Sequence, residues 1–187
     1  MKTLKSPQMD SPVGEYGHGV PVFVNDTIRT GLELFIEKCH ADSYNRGWYH
    51  DPITGMSLIP GDEKNHATQG TYQDALYHHN QTHLRAFFPY VVATKIALIH
   101  SEASEMLEAF RTDQMDDKIP DFAGITAEAA DVMIRVGDLM EMLHQFYGAD
   151  LGGKYDLVAA ILAKMPVNNS RPDHALENRR KPGGKKF

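Results

Sequence analysis

Hydrophobic residues recur every three or four positions in four stretches of the chain, and this spacing places them on one face of a helix. The first stretch predicts a helix that begins at Asn25 or Asp26, either of which can cap it, and runs to about Ser43. Its predicted core stripe consists of Ile28, Leu32, Phe35 and Cys39.

The second stretch begins at Pro89, which suits the first turn of a helix, and runs to about Arg111. Its apolar positions alternate in steps of four and three, as in a helix packed in a bundle. They are Val92, Ile96, Ile99, Ala103, Met106 and Phe110. A neighbouring stripe, about 100° round the helix, consists of Lys95, Leu98, Glu102, Glu105 and Ala109. The acids are therefore expected to flank the core.

The third stretch predicts a helix that is capped by Thr126 and reaches Phe146, and the fourth predicts a helix from Tyr155 to Met165, before Pro166. The buried seam of the third helix is predicted to be Ala129, Val132, Val136, Leu139, Leu143 and Phe146. Beside this seam lie Glu128, Asp131, Arg135 and Asp138. Four helices with mostly short connections predict an all-α, four-helix bundle-like fold.

The remaining segments lack this periodicity. Residues 1–24 are rich in Pro, Gly and Ser and are predicted to form an N-terminal arm, and residues 166–187 are predicted to form a basic C-terminal tail. Residues 50–88 are predicted to be a long loop insertion, whose polar part at 71–87 is compatible with a short helix. The sequence thus predicts one domain, with a helical bundle over residues 25–165 and extended arms at both ends.

The composition is that of an ordinary globular protein, with 42% hydrophobic and 24% charged residues. The single cysteine, Cys39, excludes an internal disulfide framework and is compatible with a reducing compartment. No apolar run approaches membrane-spanning length, and the N-terminal sequence MKTLKSPQMDSP lacks the apolar core of a signal peptide. We therefore expect a cytoplasmic protein with no membrane partner.

The formal net charge of -6 is unevenly distributed. From Arg171 to the end there are six basic residues against two acidic ones, so this tail has a charge of +4 and the rest of the chain has -10. An acidic body argues against direct nucleic-acid binding, which needs a positive face on the fold itself. It suits a polyanion that is held between metal ions and basic side chains.

Two pairs of acids lie on the predicted second and third helices, Glu102-x-x-Glu105 and Glu128-x-x-Asp131. Residues three apart share one face of a helix, and the turn-forming residues between the two helices favour an antiparallel hairpin that brings both pairs to similar heights. Converging carboxylates repel one another unless cations or protons occupy the cluster. Because hard divalent ions prefer oxygen ligands, the sequence predicts a site for Mg²⁺, with Mn²⁺ as the alternative.

Other parts of the sequence accompany these acid pairs. They are Gly47-Trp48 at the end of the first helix and the C-terminal runs Lys164-Met165-x-x-Asn168-x-x-Arg171-Pro172 and Gly184-Lys185-Lys186-Phe187. Together with the acids they resemble the all-α nucleoside triphosphate pyrophosphohydrolases of the MazG-like superfamily, over residues 27–48 and 90–187. The resemblance implies a magnesium-dependent enzyme that splits an NTP or dNTP into monophosphate and pyrophosphate. It also implies a homodimer or a dimer of dimers.

Carried over by position, the metal ligands implied by the resemblance are Glu102, Glu105, Glu128 and Asp131. The implied phosphate contacts are Lys164, Asn168, Arg171 and Lys185. We choose Glu105 as the catalytic carboxylate that orients or deprotonates the attacking water, and we add Lys95 and Trp48 to the substrate-binding set. For Trp48 two interpretations are open: a packing residue that closes the core, and a ring that stacks on a flat ligand.

Two other classes of protein compete with this hypothesis. A ferritin-like di-metal protein would use Glu37-x-x-His40 and Glu141-x-x-His144. Its phase is unfavourable, because Glu141 lies about 220° round the helix from Glu128. A non-catalytic helical oligomerisation module would use the acids structurally and its basic tail to dock a partner.

Overall fold

The computed structural model describes residues 26–53, 55–60, 71–151 and 153–185, with the backbone alone for 71–82 and 148–151. The predicted N-terminal arm, residues 1–24, lies outside these ranges. The described part of the chain is all-α, as predicted, since its helices are accompanied only by two isolated β-bridges. The helices are α1 Asp26–Asn45, α2 Thr71–Thr112, α3 Gly124–Leu151, α4 Leu157–Ser170 and α5 Leu176–Arg179, with a 3₁₀ helix at Pro172–His174 before α5.

The chain divides into two compact units. The central unit comprises residues 35–156 and contains α2, α3 and the C-terminal part of α1. The terminal unit comprises, among the described residues, 26–34 and 157–185. The predicted bundle over residues 25–165 includes parts of both units and stays a prediction. Within the described ranges, none of the helices combines the length and the apolarity that crossing a membrane requires.

The helix α2 is longer than predicted, because it begins at Thr71 and continues through Pro89. A proline inside a helix removes one hydrogen bond and crowds the carbonyl four residues earlier, at a cost of about 3 kcal/mol. The preceding residue, Phe88, is buried and packs against Phe146 with ring centroids 4.2 Å apart. Because full burial of a phenylalanine contributes about 1.5–3 kcal/mol, this packing offsets most of that cost. The predicted loop insertion therefore ends before residue 71.

The helices α2 and α3 form the predicted antiparallel hairpin. Residue numbers increase along α2 while those of the neighbouring residues on α3 decrease. The neighbouring pairs are Phe88 with Phe146, Lys95 with Asp138, Glu102 with Arg135, and Ala109 with Gly124. A Cβ atom at Gly124 would lie 3.0 Å from Ala109 Cβ and 3.1 Å from the backbone oxygen of Gln114. Glycine therefore allows the hairpin to close tightly just below the acids.

Two further helix boundaries differ from the prediction. The helix α3 begins at Gly124, and the backbone N–H groups of Thr126 and Ala127 both donate to Ala123 O, so Thr126 lies in the first turn and is not the cap. The helix α4 continues through Pro166 to Ser170, because the fixed φ of proline is itself helical and only one hydrogen bond is lost. The predicted tail at 166–187 thus begins with the last turn of α4, and it also contains the 3₁₀ helix and α5.

The core of the central unit is centred on Tyr49, Phe88, Leu139 and Met142. Leu139 was predicted to be buried, whereas Phe110 of the predicted α2 stripe is 67% exposed and Ile28 of the α1 stripe is 47% exposed. On α2 the buried positions include Phe88, Glu102 and Ala109. The buried face of α2 is therefore turned towards the stripe that contains the acids, and Glu102 lies inside the packed region.

Candidate functional site

Three of the four predicted metal ligands converge on one point. One carboxylate oxygen from each of Glu102, Glu105 and Glu128 lies within 4.8 Å of the other two, and we call these residues the glutamate cluster. The antiparallel hairpin produces this convergence, because it places the end of α2 beside the start of α3. Carboxylate oxygens at such separations are the donor set that hard divalent cations prefer. The residues therefore fit the ion that the sequence predicts.

The members of the glutamate cluster differ in their surroundings. Glu102 is buried, with 7% of its surface exposed, and its Oε1 forms an ion pair with Nη2 of Arg135. Glu105 is exposed and accepts a hydrogen bond of 3.1 Å from the Ser101 hydroxyl. Glu128 is half-buried. Glu105 is therefore the carboxylate of the cluster that faces solvent.

Electrostatic repulsion within the cluster acts on Glu128. Burial raises the pKa of Glu128, and a hydrogen bond with Glu102 and the negative charges of Glu105, Glu102 and Asp131 raise it further. A hydrogen bond between two carboxyl groups requires a proton on one of them. The cluster thus has a shortage of positive charge, which a proton or a cation can supply.

Asp131, the fourth predicted ligand, lies outside the group of three. It is exposed, although its charge acts on the pKa of Glu128. Asp131 lines a cavity of about 430 Å³ together with Arg135, Lys95 and Trp48. This cavity is therefore connected to the glutamate cluster through Arg135, the ion-pair partner of Glu102.

A second cavity, of about 350 Å³, opens directly on the glutamate cluster and is lined by Glu105 and Glu128. Its other acidic lining residues are Glu108, Asp116 and Asp117. Asp116 and Asp117 lie in the loop between α2 and α3. This loop keeps its shape partly because Asp116 Oδ1 accepts hydrogen bonds from the backbone N–H groups of Lys118 and Ile119, at 2.9 and 2.7 Å. The side of the cluster that faces this loop is thus strongly negative and favours the approach of cations.

The packing interpretation of Trp48 is wrong. Trp48 is 66% exposed, whereas the next residue, Tyr49, is completely buried and belongs to the core. The helix α1 ends at Asn45, and the turn that follows directs the tyrosine inward. Trp48 lies at the 430 Å³ cavity with two exposed cations, Lys38 and Arg46. Its role in stacking on a ligand stays a prediction.

The structure places Lys95 in a buried group of polar residues that the sequence did not predict. Asp138 is only 3% exposed and accepts hydrogen bonds from Lys95 Nζ at 2.9 Å, Tyr49 OH at 2.7 Å and His40 Nδ1 at 3.0 Å. The Lys95 ammonium also lies 3.9 Å from the centroid of the Tyr49 ring. We call these four residues the Asp138 network. Gly137 allows α1 to approach α3 here, since a Cβ atom at that position would lie 3.4 Å from Cys39 Sγ.

The donors in the Asp138 network determine its charge. Burial by itself would raise the pKa of Asp138, but the hydrogen bonds from His40, Lys95 and Tyr49 together hold the pKa below its usual range. Burial and the charge of Asp138 raise the pKa of the Tyr49 hydroxyl, which stays neutral. Asp138 is therefore ionised and balanced by the Lys95 ammonium. The sequence contained a signal for the Lys95–Asp138 ion pair, because each residue lies beside the apolar seam of its helix and the two helices face each other.

The predicted phosphate contacts belong to the terminal unit. Lys164 and Asn168 are exposed and stand one turn apart on α4, which continuation through Pro166 makes possible. Arg171 forms two hydrogen bonds with Asp173, of 3.1 and 2.8 Å. Lys185 is exposed. The roles of these residues in phosphate binding stay predictions.

The ligands of the ferritin-like alternative are not brought together. Among the described residues, the group of three or more metal-binding side chains within reach of one another is the glutamate cluster. His40 Nδ1 is bound to Asp138, and Glu141 accepts a hydrogen bond of 2.9 Å from Gln145. Within the described part of the chain, the buried Nδ1 of His144 has no hydrogen-bond partner. This geometry does not favour a di-metal centre with Glu-x-x-His ligands.

Comparison with protein-family models finds no match, and comparisons with curated proteins and with solved structures find none either. The resemblance to the MazG-like superfamily therefore rests on the motifs of the sequence, and the candidate metal site rests on those motifs and on its geometry.

Proposed function

We propose that the chain is a magnesium-dependent nucleoside triphosphate pyrophosphohydrolase, which hydrolyses an NTP or dNTP to the monophosphate and pyrophosphate. The observation that carries the proposal is the convergence of three carboxylates on a helical hairpin, with their oxygens within 4.8 Å of one another. A triphosphate is strongly negative, so it can approach this cluster only with cations between them. A bound divalent ion would neutralise phosphate charge and make a coordinated water more acidic.

In this proposal Glu102, Glu105 and Glu128 would hold the ion, with Glu102 as the buried ligand and Glu105 as the exposed one. Asp131 lies about one helical turn after Glu128 and is exposed, which supports it as a further ligand. Mn²⁺ prefers oxygen ligands as Mg²⁺ does, so it is expected to replace Mg²⁺.

Glu105 is the proposed catalytic residue. Its carboxylate is exposed and is held by one hydrogen bond, from Ser101, so it has free lone pairs for a water molecule. A carboxylate in this position can orient the water and accept its proton as the water attacks phosphorus. The proton then resides on a Glu105 oxygen and can be passed to solvent.

The 430 Å³ cavity supports a place for the nucleoside. Its walls combine the exposed ring of Trp48 with apolar side chains such as Leu98 and Ile134, and it adjoins the cluster through Arg135. Stacking of the base on Trp48 would hold a flat ligand without selecting one base strictly. The phosphate contacts proposed for the terminal unit are Lys164, Asn168, Arg171 and Lys185, and the resemblance supports them.

A homo-oligomer is also proposed, as a dimer or a dimer of dimers. Large apolar side chains are exposed on both helices of the hairpin, including Ile96, Leu107, Phe110 and Met133. Exposed apolar groups of this size on one element often mark a protein interface. Sedimentation of the full chain tests this part of the proposal, and a monomer at micromolar concentration would contradict it.

The activity is tested with a panel of NTPs and dNTPs and Mg²⁺, with products separated by phosphate chromatography. We expect pyrophosphate and a monophosphate from at least one nucleotide, and a loss of about 10²–10⁴-fold in rate for Glu105→Gln. Glu141→Gln is the matched control, because Glu141 is an acid of the same hairpin that accepts a hydrogen bond from Gln145 and lies outside the cluster. Release of pyrophosphate from no nucleotide would favour the non-catalytic module.

A further inference from the structure

Arg135 has a special position between the glutamate cluster and the 430 Å³ cavity. Its Nη2 pairs with Oε1 of Glu102, whose side chain is 9% exposed, while the Arg135 side chain itself is 36% exposed and lines the cavity. Lys95 also lines this cavity, but its ammonium is bound by Asp138. Arg135 thus lines the cavity and at the same time forms an ion pair with a member of the glutamate cluster.

The present position of Arg135 leaves one of its donors unused. The Nε of Arg135 is buried and has no hydrogen-bond partner among the residues that the structure describes. A buried donor without a partner is unfavourable, because its hydrogen bond to water is lost and none replaces it. Its attraction to the Glu102 carboxylate, which belongs to the negatively charged glutamate cluster, explains why the side chain stays there nevertheless. If that attraction falls, the reason for this position disappears.

A divalent cation in the cluster would lower that attraction. It would share the carboxylate of Glu102 with Arg135, and two positive groups at one carboxylate repel each other. The guanidinium would then be free to turn into the cavity, where its planar pairs of N–H groups match the spacing of phosphate oxygens. The same turn would give the buried Nε a partner.

We propose that Arg135 exchanges one partner for another: it neutralises Glu102 in the cation-free protein, and it binds a phosphate group of the substrate when a divalent cation occupies the cluster. This inference rests on the proposed function and adds a substrate-binding residue to it. Cation and triphosphate then bind cooperatively, because each favours the same position of Arg135.

The first experiment measures Mn²⁺ binding by electron paramagnetic resonance, with the full chain and without nucleotide. Removal of the competing guanidinium should tighten Mn²⁺ binding by about 5-fold or more in Arg135→Gln. Arg135→Met removes the charge but keeps an unbranched side chain, and it should tighten binding in the same way. A residue that merely positions Glu102 would show the opposite sign, so unchanged or weaker Mn²⁺ binding in the folded variants overturns the exchange.

Arg111→Gln is the matched control for this titration. Arg111 pairs with Glu108 on the exposed surface of α2, and its removal takes one positive charge from the same end of the hairpin. Its Mn²⁺ affinity should stay close to that of the wild type. An equal gain in Arg111→Gln would mean that net charge alone sets the affinity, and it would overturn the specific role of Arg135.

The second experiment measures binding of inorganic triphosphate at saturating Mn²⁺ by titration calorimetry. We expect binding to weaken by at least about tenfold in Arg135→Gln and to be partly retained in Arg135→Lys, which keeps the charge but not the paired N–H geometry. Equal affinities of wild type and Arg135→Gln would overturn the phosphate contact. The two proposals fail separately: a wild type that releases no pyrophosphate refutes the activity, whereas the cation titration tests the exchange of Arg135 without any nucleotide.

Discussion

The α2–α3 hairpin holds two charged groups that differ in how completely their charges are satisfied. In the Asp138 network one buried carboxylate receives three hydrogen bonds, and one of the donors is the Lys95 ammonium. In the glutamate cluster three carboxylates lie close together, and the guanidinium of Arg135 pairs with one of them, Glu102. Lys95 and Glu102 are about two helical turns apart on α2, so one pair of helices supports both arrangements.

This difference separates a structural group from a candidate functional site. The Asp138 network is closed, because both carboxylate oxygens of Asp138 accept hydrogen bonds and the Lys95 ammonium balances the negative charge. The glutamate cluster is open, since burial and the repulsion between its carboxylates raise the pKa of Glu128. Sites that bind ligands commonly retain such unfavourable interactions. Carboxylates therefore serve stability in the Asp138 network and, in our proposal, chemistry in the glutamate cluster.

The largest effect is expected from Asp138→Asn. This change leaves the Lys95 ammonium buried without its counter-ion, and removal of one partner of a buried pair costs about 3–5 kcal/mol. Urea unfolding at neutral pH measures the loss. Asp131→Asn is the control, because Asp131 is exposed and should change stability by no more than about 0.5 kcal/mol. A similar loss in both variants would remove the distinction between the network and the cluster.

The next effect is stabilisation by Mg²⁺. At a concentration of 100 times its dissociation constant, a ligand that binds only the folded state adds about 2.7 kcal/mol to the free energy of unfolding. We expect this gain in the wild type and in Tyr49→Phe, which weakens the Asp138 network alone. Glu128→Gln should lose most of the gain. Thermal unfolding with Mg²⁺ and with a chelator provides the measurement, and an undiminished gain in Glu128→Gln would argue against cation binding at the cluster.

The smallest effect is a pH dependence of opposite sign in the two groups. The pKa of Asp138 is lowered on folding, so its contribution to stability is present above the ordinary Asp pKa and is lost as the pH falls through the folded value. The pKa of Glu128 is raised, so its contribution is present below the ordinary Glu pKa and is lost as the pH rises through the folded value.

The free energy of unfolding in chelator, followed from about pH 3 to pH 8, tests these signs. Glu128→Gln should remove the loss of stability on the alkaline side of the ordinary Glu pKa. It should leave intact the loss on the acidic side of the ordinary Asp pKa. Identical pH profiles for wild type and Glu128→Gln would show that repulsion in the cluster does not affect folding.

The hairpin and its acids could be predicted from the sequence, because helical spacing fixes which residues share a face and turn residues fix where the chain reverses. The continuation of two helices through their prolines could not be predicted from the sequence. Helix α2 passes Pro89 and α4 passes Pro166. At Pro89 the packing of Phe88 on Phe146 offsets most of the local penalty. That packing joins residues far apart in the chain, which local patterns do not describe.

The sequence by itself determined the helical class, the antiparallel order of α2 and α3, and the presence of acids near their turn, since these follow from interactions within a few residues. Only the tertiary structure decided which face of α2 is buried, that Trp48 is exposed while Tyr49 is enclosed, and that Lys95 pairs with Asp138. Periodicity defines the stripes of a helix, but the rotation of each helix depends on how its side chains fit those of its neighbours. For the same reason the sequence named four acids, whereas the packed hairpin gathered three of them.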